Sequence, residues 1–233
     1  MTYNIRKGKG ANGRSAVEMR HLGEALAAQG VDIALCQEVF HCARTGNSQT
    51  RHLAEALGFA SYYGQNKTRA VGHHGNSTFT RLKVDLYENH DLSVNRIERR
   101  GALYARMHIN DRMLHVFNVH LGLSGGQRRT QIDRIGDLVQ QLCRDDEPVL
   151  LAGDFNDWGR ALTDAVCREL GFADVFADHP EHEIRTWHAR RPVFALDRIY
   201  VRNLKPVRAQ RLAGEPWSDL SDHLPLVAEL VPK

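Results

Sequence analysis

The segment Pro148-Val-Leu-Leu-Ala-Gly-Asp-Phe-Asn156 begins with an apolar run and ends in polar side chains. An apolar run of this length, bounded by glycine, predicts a short strand that is buried on both faces. Asp154 and Asn156 then follow the carboxyl end of that strand. Ligand-binding loops gather at such strand ends in layered α/β proteins, so the segment predicts a fold class and a functional position. Taken alone, it also fits an ordinary turn, because Gly, Asp and Asn all suit turns.

The same pattern, a polar side chain beside a short apolar run, recurs along the chain. Glu38 follows Ile-Ala-Leu-Cys-Gln, His120 ends His-Val-Phe-Asn-Val-His, and a second pair, Asp222 and His223, precedes Leu-Pro-Leu-Val. Each signal is weak alone, since Glu38 also fits a solvated strand end and a lone histidine in a strand is usually a core residue. Strand ends converge in α/β layers, so together these side chains predict one site.

Helical and strand-like segments alternate from end to end. Ser15-Ala-Val-Glu18 and Ser124-Gly-Gly-Gln127 are capping-box patterns that predict helix starts. Strand pairs without an intervening helix favour two packed sheets covered outside by helices, in one α/β domain. The predicted helices cover 15–30, about 48–58, one from 124 and one near 160–170. The predicted strands cover 31–38, 76–81, 84–94, 101–109, 113–120, 148–152, 195–201, 204–212 and 224–231, with a hairpin turn at Asn110-Asp111.

Composition excludes several classes of protein. The 233 residues are 42% hydrophobic, which is enough for a sizeable core and excludes wholesale disorder. A net charge of +3 excludes only a strongly basic nucleic-acid binder. No apolar run is long enough to be a transmembrane segment, and no secretory signal pattern begins the sequence. Four cysteines without C-x-x-C spacing argue against zinc ribbons and disulfide scaffolds, so we expect a reducing, cytoplasmic location.

The segments that carry the polar residues form an ordered series that resembles the endonuclease/exonuclease/phosphatase superfamily, with its DNase I-like fold. They are Thr2-Tyr-Asn-Ile5, Gln37-Glu-Val39, Asn118-Val-His-Leu121, Gly153-Asp-Phe-Asn156, Leu196-Asp-Arg-Ile-Tyr-Val201 and Ser221-Asp-His-Leu-Pro225. The resemblance covers essentially the whole chain. It implies one domain over residues 1–233, built as a four-layer αββα sandwich of two packed mixed sheets, with the site at one rim.

Two segments are also similar to an uncharacterised bacterial branch of that superfamily. They are Gly72-His-His-Gly-Asn76 and Gly153-Asp-Phe-Asn-Asp-Trp158. Genes of that branch tend to lie near those of cardiolipin-synthase-like enzymes. The superfamily is usually monomeric, so the resemblance implies a monomer.

The resemblance implies a site for Mg²⁺ or Mn²⁺, cations that prefer oxygen ligands. Glu38 is expected to be the main metal ligand, with Asn4 and Asp222 nearby or acting through water. Where some members carry an aspartate two positions after the asparagine, this chain has Arg6. Metal binding is therefore expected to depend more on Glu38.

The resemblance also implies phosphoester hydrolysis by in-line attack of water, which requires charge neutralisation on a phosphoryl oxygen and an aligned water. His223 is expected to act as the general base or to stabilise the transition state, and Asp197 to hold its tautomer. His120 is expected to hydrogen-bond the phosphoryl group. Asp154 and Asn156 would orient the water or assist the leaving oxygen, and the sequence leaves both roles open.

A further group of residues is predicted to bind substrate: Arg100, Asn76, His74 and His73. Arg100 opens a predicted strand and fits a phosphate contact as well as a surface turn. Asn76 fits a water-positioning role as well as a turn cap. The two adjacent histidines lie on one predicted loop and could face the substrate.

Other residues near the motifs have structural interpretations. Trp158 and Trp217 flank two of the motifs and could line a pocket, although core packing is the main expectation. Arg128, Arg129 and Arg134 are spaced as one solvated helix face.

Three functions compete on this sequence. The first is a nuclease that cuts a DNA or RNA phosphodiester, the most favoured reading. The second is hydrolysis of a smaller phosphoester, such as a phospholipid headgroup or a metabolite. The third is an inactive binding module, which has no physical need for so many polar residues at strand ends. No stacking motif of aromatic and basic residues favours nucleic acid, and no amphipathic segment favours lipid.

Overall fold

Two sheets of six strands each are found in the computed structural model, which describes residues 1–14, 16–42 and 48–233. In chain order the strands are β1 (Thr2–Asn4), β2 (Ile33–Cys42), β3 (Ala60–Arg69), β4 (Gly72–Thr80), β5 (Val84–Asp91), β6 (Gly101–Ile109), β7 (Arg112–His120), β8 (Val149–Asp154), β9 (Ala173–Asp174), β10 (Asp197–Arg202), β11 (Leu204–Arg211) and β12 (Leu226–Pro232). The first sheet has the order β11-β12-β1-β2-β4-β3, and the second has the order β5-β6-β7-β8-β10-β9.

The helices lie between these strands in sequence. They are α1 (Met19–Ala27), α2 (Gln49–Leu57), α3 (Gly125–Leu142), α4 (Ala161–Asp164), α5 (Glu181–Ile184) and α6 (Trp217–Leu220). A short turn at Arg6–Gly8 follows β1, and a π-helical turn at Ala165–Glu169 continues α4. None of the described helices is long and apolar enough to cross a membrane.

Side chains near the helix ends explain where two of the helices begin and end. The Ser48 hydroxyl accepts a hydrogen bond from the Arg51 amide at 3.2 Å, and Gly58 ends α2 in the left-handed region. Ser124 and Gln127 form the capping box predicted for α3. Helix α1 begins at Met19, and its N-cap Glu18 makes no side-chain capping bond, so the helix start predicted at Ser15-Ala-Val-Glu18 is wrong. Ser15 itself lies outside the described residues.

Apolar side chains pack in three groups that separate four layers of secondary structure. Helices α1 and α2 bury Leu22, Leu26 and Leu53 against the outer face of the first sheet. Helix α3 buries Ile132 and Ile135 against the outer face of the second. The third group lies between the sheets: Leu35, Ala105, Met107, Val116, Leu150, Ala152 and Ile199. The predicted sandwich of two mixed sheets with outer helices is confirmed.

Strand pairing places the polar strand ends together. Strands β1 and β2 are parallel, as are β7 and β8, whereas β8 and β10 are antiparallel. In this register Asp154 lies opposite His120 on one side and opposite Asp197 on the other. A hydrogen bond of 2.9 Å from the Asn4 side chain to Asp154 joins the two sheets at the same end. We call this end of the sandwich the polar edge.

Buried polar side chains connect the sheets just beneath the polar edge. The Gln37 side-chain amide donates to Asn118 Oδ1 at 2.8 Å. Asn76 Nδ2 donates to the carbonyl oxygens of Asn118 and Gly101 at 3.0 and 3.1 Å, and Asn118 Nδ2 donates to the Ser77 carbonyl oxygen at 3.0 Å. A buried polar group left without its partner costs about 1–3 kcal/mol, so these bonds fix the position of one sheet on the other.

Further differences from the predicted elements include an unpredicted strand, a longer strand and a shorter helix. The sequence analysis missed β3, an edge strand whose side chains are mostly polar and incompletely buried, so no hydrophobic alternation marks it. Strand β4 begins at Gly72 rather than at residue 76, because Gly72 pairs with Arg69 of β3. The helix predicted near 160–170 is the short α4 followed by the π-helical turn.

Candidate active site

Asp154 is the centre of the polar edge. Its carboxylate accepts hydrogen bonds from Asn4 Nδ2 at 2.9 Å and from the Asn156 amide at 3.0 Å. The Nε2 atoms of His120 and His223 lie 3.4 and 3.8 Å from its Oδ2. Its burial raises the pKa of Asp154 above the ordinary value, against the attraction of His223. The structure therefore brings five of the predicted residues into one cluster.

Gly153 allows β8 to approach β7 closely at this point. Its φ is +149°, and a Cβ atom there would collide with the Val119 carbonyl oxygen. Only glycine fits this position without a shift of the strand, and the close approach places the next residue, Asp154, beside His120. Asn156, two residues after Asp154, adopts φ +48° and donates from Nδ2 to the Leu121 carbonyl oxygen at 2.9 Å.

His223 is oriented by Asp197. The His223 Nδ1 atom lies 2.8 Å from Asp197 Oδ2, and the same oxygen accepts a hydrogen bond of 2.5 Å from the Thr186 hydroxyl. Burial lowers the pKa of His223, but the carboxylates of Asp197 and Asp154 outweigh it and raise the value to about 9. The imidazole is therefore a cation at neutral pH, with Nε2 turned toward Asp154.

His120, by contrast, is neutral. Arg100 Nη1 lies 3.0 Å from Nε2 and 3.2 Å from Nδ1 of the His120 ring. Burial, and then the positive charge of Arg100, hold the pKa of His120 well below its usual range. A guanidinium can only donate, so the neutral ring is its acceptor. Glu98 Oε1 accepts from Arg100 Nη2 at 2.8 Å and so holds the guanidinium at the site.

A left-handed turn follows β1 at the polar edge. Arg6, Lys7 and Gly8 have φ values of 48°, 58° and 67°. Glu38 also has a positive φ, 56°, within a bulge of β2. The left-handed region costs about 1–2 kcal/mol for a residue with a side chain, and such strain concentrates at functional sites. Positive φ values thus occur in both segments, and the sequence alone does not indicate them.

The predicted metal ligands surround this turn. Lys7 Nζ is in direct contact with Glu38 Oε2, and Arg6 Nε lies 3.2 Å from Asp222 Oδ2. The Arg6 amide donates to Asn4 Oδ1 at 3.0 Å. Lys7 and Arg6 thus neutralise the carboxylates of Glu38 and Asp222, and the side-chain oxygen of Asn4 faces the same turn. Hard oxygen donors with this negative charge fit Mg²⁺ or Mn²⁺.

A second set of donor atoms lies deeper. One donor atom each from Asp154, Asp197 and His223 lie within 4.8 Å of one another. Their hydrogen bonds already use several of these lone pairs, since Asp197 Oδ2 accepts from Thr186 and contacts His223 Nδ1. These contacts leave fewer free lone pairs for a metal ion at this group.

His74 faces a cluster of cations next to the site. Its side chain is buried, and its Nδ1 atom has no hydrogen-bond partner among the described residues. Burial lowers the pKa of His74 to about 3, helped by the charges of Lys7, Arg69, Arg100 and Lys67. Positive side chains around a neutral histidine fit a bound phosphate group.

Two other predicted substrate contacts lie elsewhere. Successive side chains alternate across a strand, so His73 points to the helix side of β4, where its ring stacks on His41 at 5.0 Å and its Nδ1 lies 2.9 Å from the Tyr63 hydroxyl. No described contact joins His73 to the site. Asn76 lies between the sheets, where its Oδ1 has no hydrogen-bond partner among the described residues.

Three of the structural interpretations are tested by burial. Trp217 is buried against Tyr3, as expected. The expectation of core packing is wrong for Trp158, which is 39% exposed at the polar edge. Arg129 and Arg134 are exposed as predicted, whereas the buried Arg128 donates to the Leu123 carbonyl oxygen at 2.6 Å.

The sequence analysis missed Lys7 and Thr186 as parts of the site. Lys7 follows the asparagine motif closely, and only Gly8 signals the left-handed turn that carries it. Thr186 lies eleven residues from Asp197, and its contact depends on how the loop folds back against β10.

Known proteins share this fold. The chain is 35% identical over 241 residues to YbhP, an uncharacterised protein of Escherichia coli, with 99% of this chain and 94% of that one covered. An endonuclease/exonuclease/phosphatase structure from Beutenbergia cavernae superimposes with a TM-score of 0.84 at 19% identity, covering 99% of this chain and 70% of that one. A mannosyl-6-phosphatase of Bacteroides thetaiotaomicron gives 0.76 at 19% identity, with 99% and 98% covered.

The family assignment comes from sequence over nearly the full length. The sequence model of the Endonuclease/Exonuclease/phosphatase family matches residues 1–223, a range that includes every predicted site residue. The protein therefore belongs to the Endonuclease/Exonuclease/phosphatase family and is a phosphoesterase of the metal-dependent kind.

Proposed function

We propose that the protein hydrolyses a phosphodiester with the help of Mg²⁺ or Mn²⁺, by in-line attack of water at the polar edge. The observation that carries the proposal is the convergence of a neutral and a charged histidine on one buried carboxylate. His120 and His223 approach the same oxygen of Asp154 at 3.4 and 3.8 Å. A phosphoryl group bound there would meet fixed donors in a site with little water, where such donors are most effective.

His223 supplies positive charge in this proposal. A pKa raised to about 9 leaves the imidazole protonated at neutral pH, which favours a donor to the phosphoryl oxygens over a general base. Asp197 keeps the charge and the orientation of the ring through its 2.8 Å contact with Nδ1. Of the two roles that the sequence left open for His223, the geometry supports stabilisation of the transition state.

Asp154 is the proton acceptor in this proposal. Its buried carboxyl has a raised pKa, so it is a stronger base than an exposed aspartate. Asn4 and Asn156 hold the carboxylate through one hydrogen bond to each oxygen. It can therefore take a proton from the attacking water without changing its position.

A divalent cation fits Glu38, Asp222 and Asn4, whose oxygens it prefers. When bound it would neutralise charge that develops on a phosphoryl oxygen. Arg100 adds a fixed positive charge beside His120, and Lys7 and Arg6 are the cations that now neutralise the two carboxylates.

The substrate class is tested by a panel of phosphoesters with and without Mg²⁺ or Mn²⁺. The panel contains supercoiled plasmid, a single-stranded oligonucleotide, an aryl phosphodiester, a phosphomonoester and anionic phospholipid. We expect turnover of phosphodiesters, and EDTA should abolish it. Nicking of the plasmid at low enzyme concentration would support nuclease activity, whereas turnover of phospholipid alone would support hydrolysis of a lipid substrate. Activity that EDTA leaves intact would contradict the metal role.

The site assignment is tested by Asp154→Asn and His223→Ala. General acid–base groups contribute roughly 10²–10⁴-fold, so both variants should fold and lose nearly all turnover. The matched control is His115→Ala, because His115 is also a buried histidine beside a carboxylate, Glu147 at 3.0 Å, and lies at the other end of β7. Full activity of either site variant, or equal loss in the control, would overturn the assignment.

A further inference from the structure

The exposed apolar side chains of this protein are concentrated at the polar edge. In the described part of the chain eleven large hydrophobic side chains are exposed. Seven of them lie in loops that leave this edge: Val71, Val94, Ile97, Leu123, Trp158, Val193 and Phe194. Single exposed apolar residues are ordinary, but a group around one site marks an interaction surface.

Four of these side chains lie in three neighbouring loops. Val71 is at the turn between β3 and β4, Val94 and Ile97 lie between β5 and β6, and Leu123 lies between β7 and α3. Lys67 of β3 donates to the Ile97 carbonyl oxygen at 2.9 Å. The amide of Leu123 donates to Glu98 at 3.3 Å. The loops therefore form one continuous flank of the site, which we call the basic flank.

The basic flank combines this apolar surface with positive charge. Ile97 is 83% exposed and Leu123 is 59% exposed. Their loops and the adjoining β3 carry a set of cationic residues: Lys67, Arg69, Arg96, Arg99 and Arg100. Two of these cations are paired with nearby acids, Arg100 with Glu98 at 2.8 Å and Arg99 with Asp91 at 3.6 Å, which leaves Lys67, Arg69 and Arg96 without a carboxylate partner among the described residues. The surface that remains is both apolar and cationic.

The opposite flank of the site is aromatic. Trp158 packs edge to face on Trp187 and Phe194, with ring centroids 5.4 and 5.1 Å apart. The Trp187 indole nitrogen lies 3.4 Å from Asp222 Oδ2, so this cluster adjoins the predicted metal ligands. Tryptophan is enriched where one end of a ring meets apolar groups and the other meets water.

We propose that this rim, the basic flank together with the aromatic cluster, docks the active site onto an anionic lipid bilayer. Exposed aliphatic chains gain free energy by entering the acyl region, and lysine and arginine beside them pair with anionic headgroups. A nucleic acid would gain from the cations and could stack on Trp158, but Ile97 and Leu123, the most exposed apolar side chains of the rim, are aliphatic and offer a base no flat ring. That a docked lipid is also the substrate would rest on the proposed function, whereas the docking itself does not.

Docking is measured by co-sedimentation of the full chain with vesicles in EDTA, so that binding is separate from turnover. Vesicles of phosphatidylglycerol with phosphatidylcholine should bind the protein, and vesicles of phosphatidylcholine alone should bind it at least roughly tenfold more weakly. High salt should weaken binding by screening the headgroup charge. Equal binding to both vesicles would overturn the proposal.

Two variants test the rim and one tests the specificity of the effect. Ile97→Asp and Leu123→Asp place a carboxylate in the surface and should each weaken vesicle binding by roughly tenfold. The control is Val207→Asp on β11, where Val207 is also 59% exposed but lies outside the rim. All three should keep turnover of a soluble aryl phosphodiester. Unchanged vesicle binding in both rim variants, or a loss of oligonucleotide binding without a loss of vesicle binding, would overturn the proposal.

Discussion

Replacing Asp197 by asparagine separates the two roles open to His223. The substitution preserves the shape of the side chain and its neighbour Thr186, but it removes the charge that lies 2.8 Å from His223 Nδ1. Without that charge the pKa of His223 should fall from about 9 toward the ordinary value of 6.5. The imidazole would then be largely neutral in weakly alkaline solution.

The expected loss follows from the size of this shift. Raising the pKa from 6.5 to about 9 corresponds to about 3 kcal/mol in favour of the charged form. If that charge stabilises the transition state, its removal should lower kcat/KM by about 10²-fold at alkaline pH. Below about pH 6 the ring is protonated in both proteins, so the loss should shrink to a few-fold.

The assay is the ratio of kcat/KM for the parent protein to that for Asp197→Asn, measured on one soluble phosphodiester across pH. Taking the ratio cancels the titration of groups that both proteins share. The matched control is Glu147→Gln, which removes the carboxylate beside His115 at the other end of β7. A ratio that stays constant, or one that is largest at low pH, would refute the role of His223 as a cation.

Three further outcomes are expected. Gly153→Ala should lose more than about tenfold in activity and lower the Tm, because its Cβ meets a carbonyl of β7, whereas Gly159→Ala, with open space around it, should change neither. The raised pKa of His223 stabilises the fold fully below pH 6.5 and loses this effect as pH rises through about 9, so urea unfolding in EDTA should show a steeper alkaline loss in the parent than in His223→Gln. Lys7→Met removes the ammonium that contacts Glu38 and should tighten Mn²⁺ binding several-fold by calorimetry. Unchanged Mn²⁺ affinity would remove Lys7 from the account.

The fold and the central residues could be predicted because they depend on local patterns. The run before Asp154 is buried on both faces, so it is continuous in apolar residues and its polar end is conspicuous. Strands of this kind must converge at one edge, which is why His120 could be expected beside it. By contrast β3, an edge strand, carries polar residues and leaves no such mark.

The surroundings of the site could not be predicted because they depend on contacts between distant loops. No amphipathic segment is visible in the sequence, yet Ile97 and Leu123 lie on loops that touch in space, beside the strand β3 that leads to Val71. Core packing was expected for Trp158 from its residue type, but the course of the loop that carries it leaves the side chain exposed. The contact of Lys7 with Glu38 depends on two positive φ values, which neither residue type indicates.

The buried amides beneath the polar edge have a consequence for how this site tolerates change. The first sheet contributes Asn4 and Glu38, and the second contributes His120 and Asp154, so the reacting groups come from two separately paired halves. Gln37, Asn76 and Asn118 hold those halves in register by directional bonds, whereas the apolar core behind them has no such direction. Apolar core residues can therefore be substituted without misaligning the two halves of the site. The backbone amide protons of Gln37, Asn76 and Asn118 should be among the slowest to exchange.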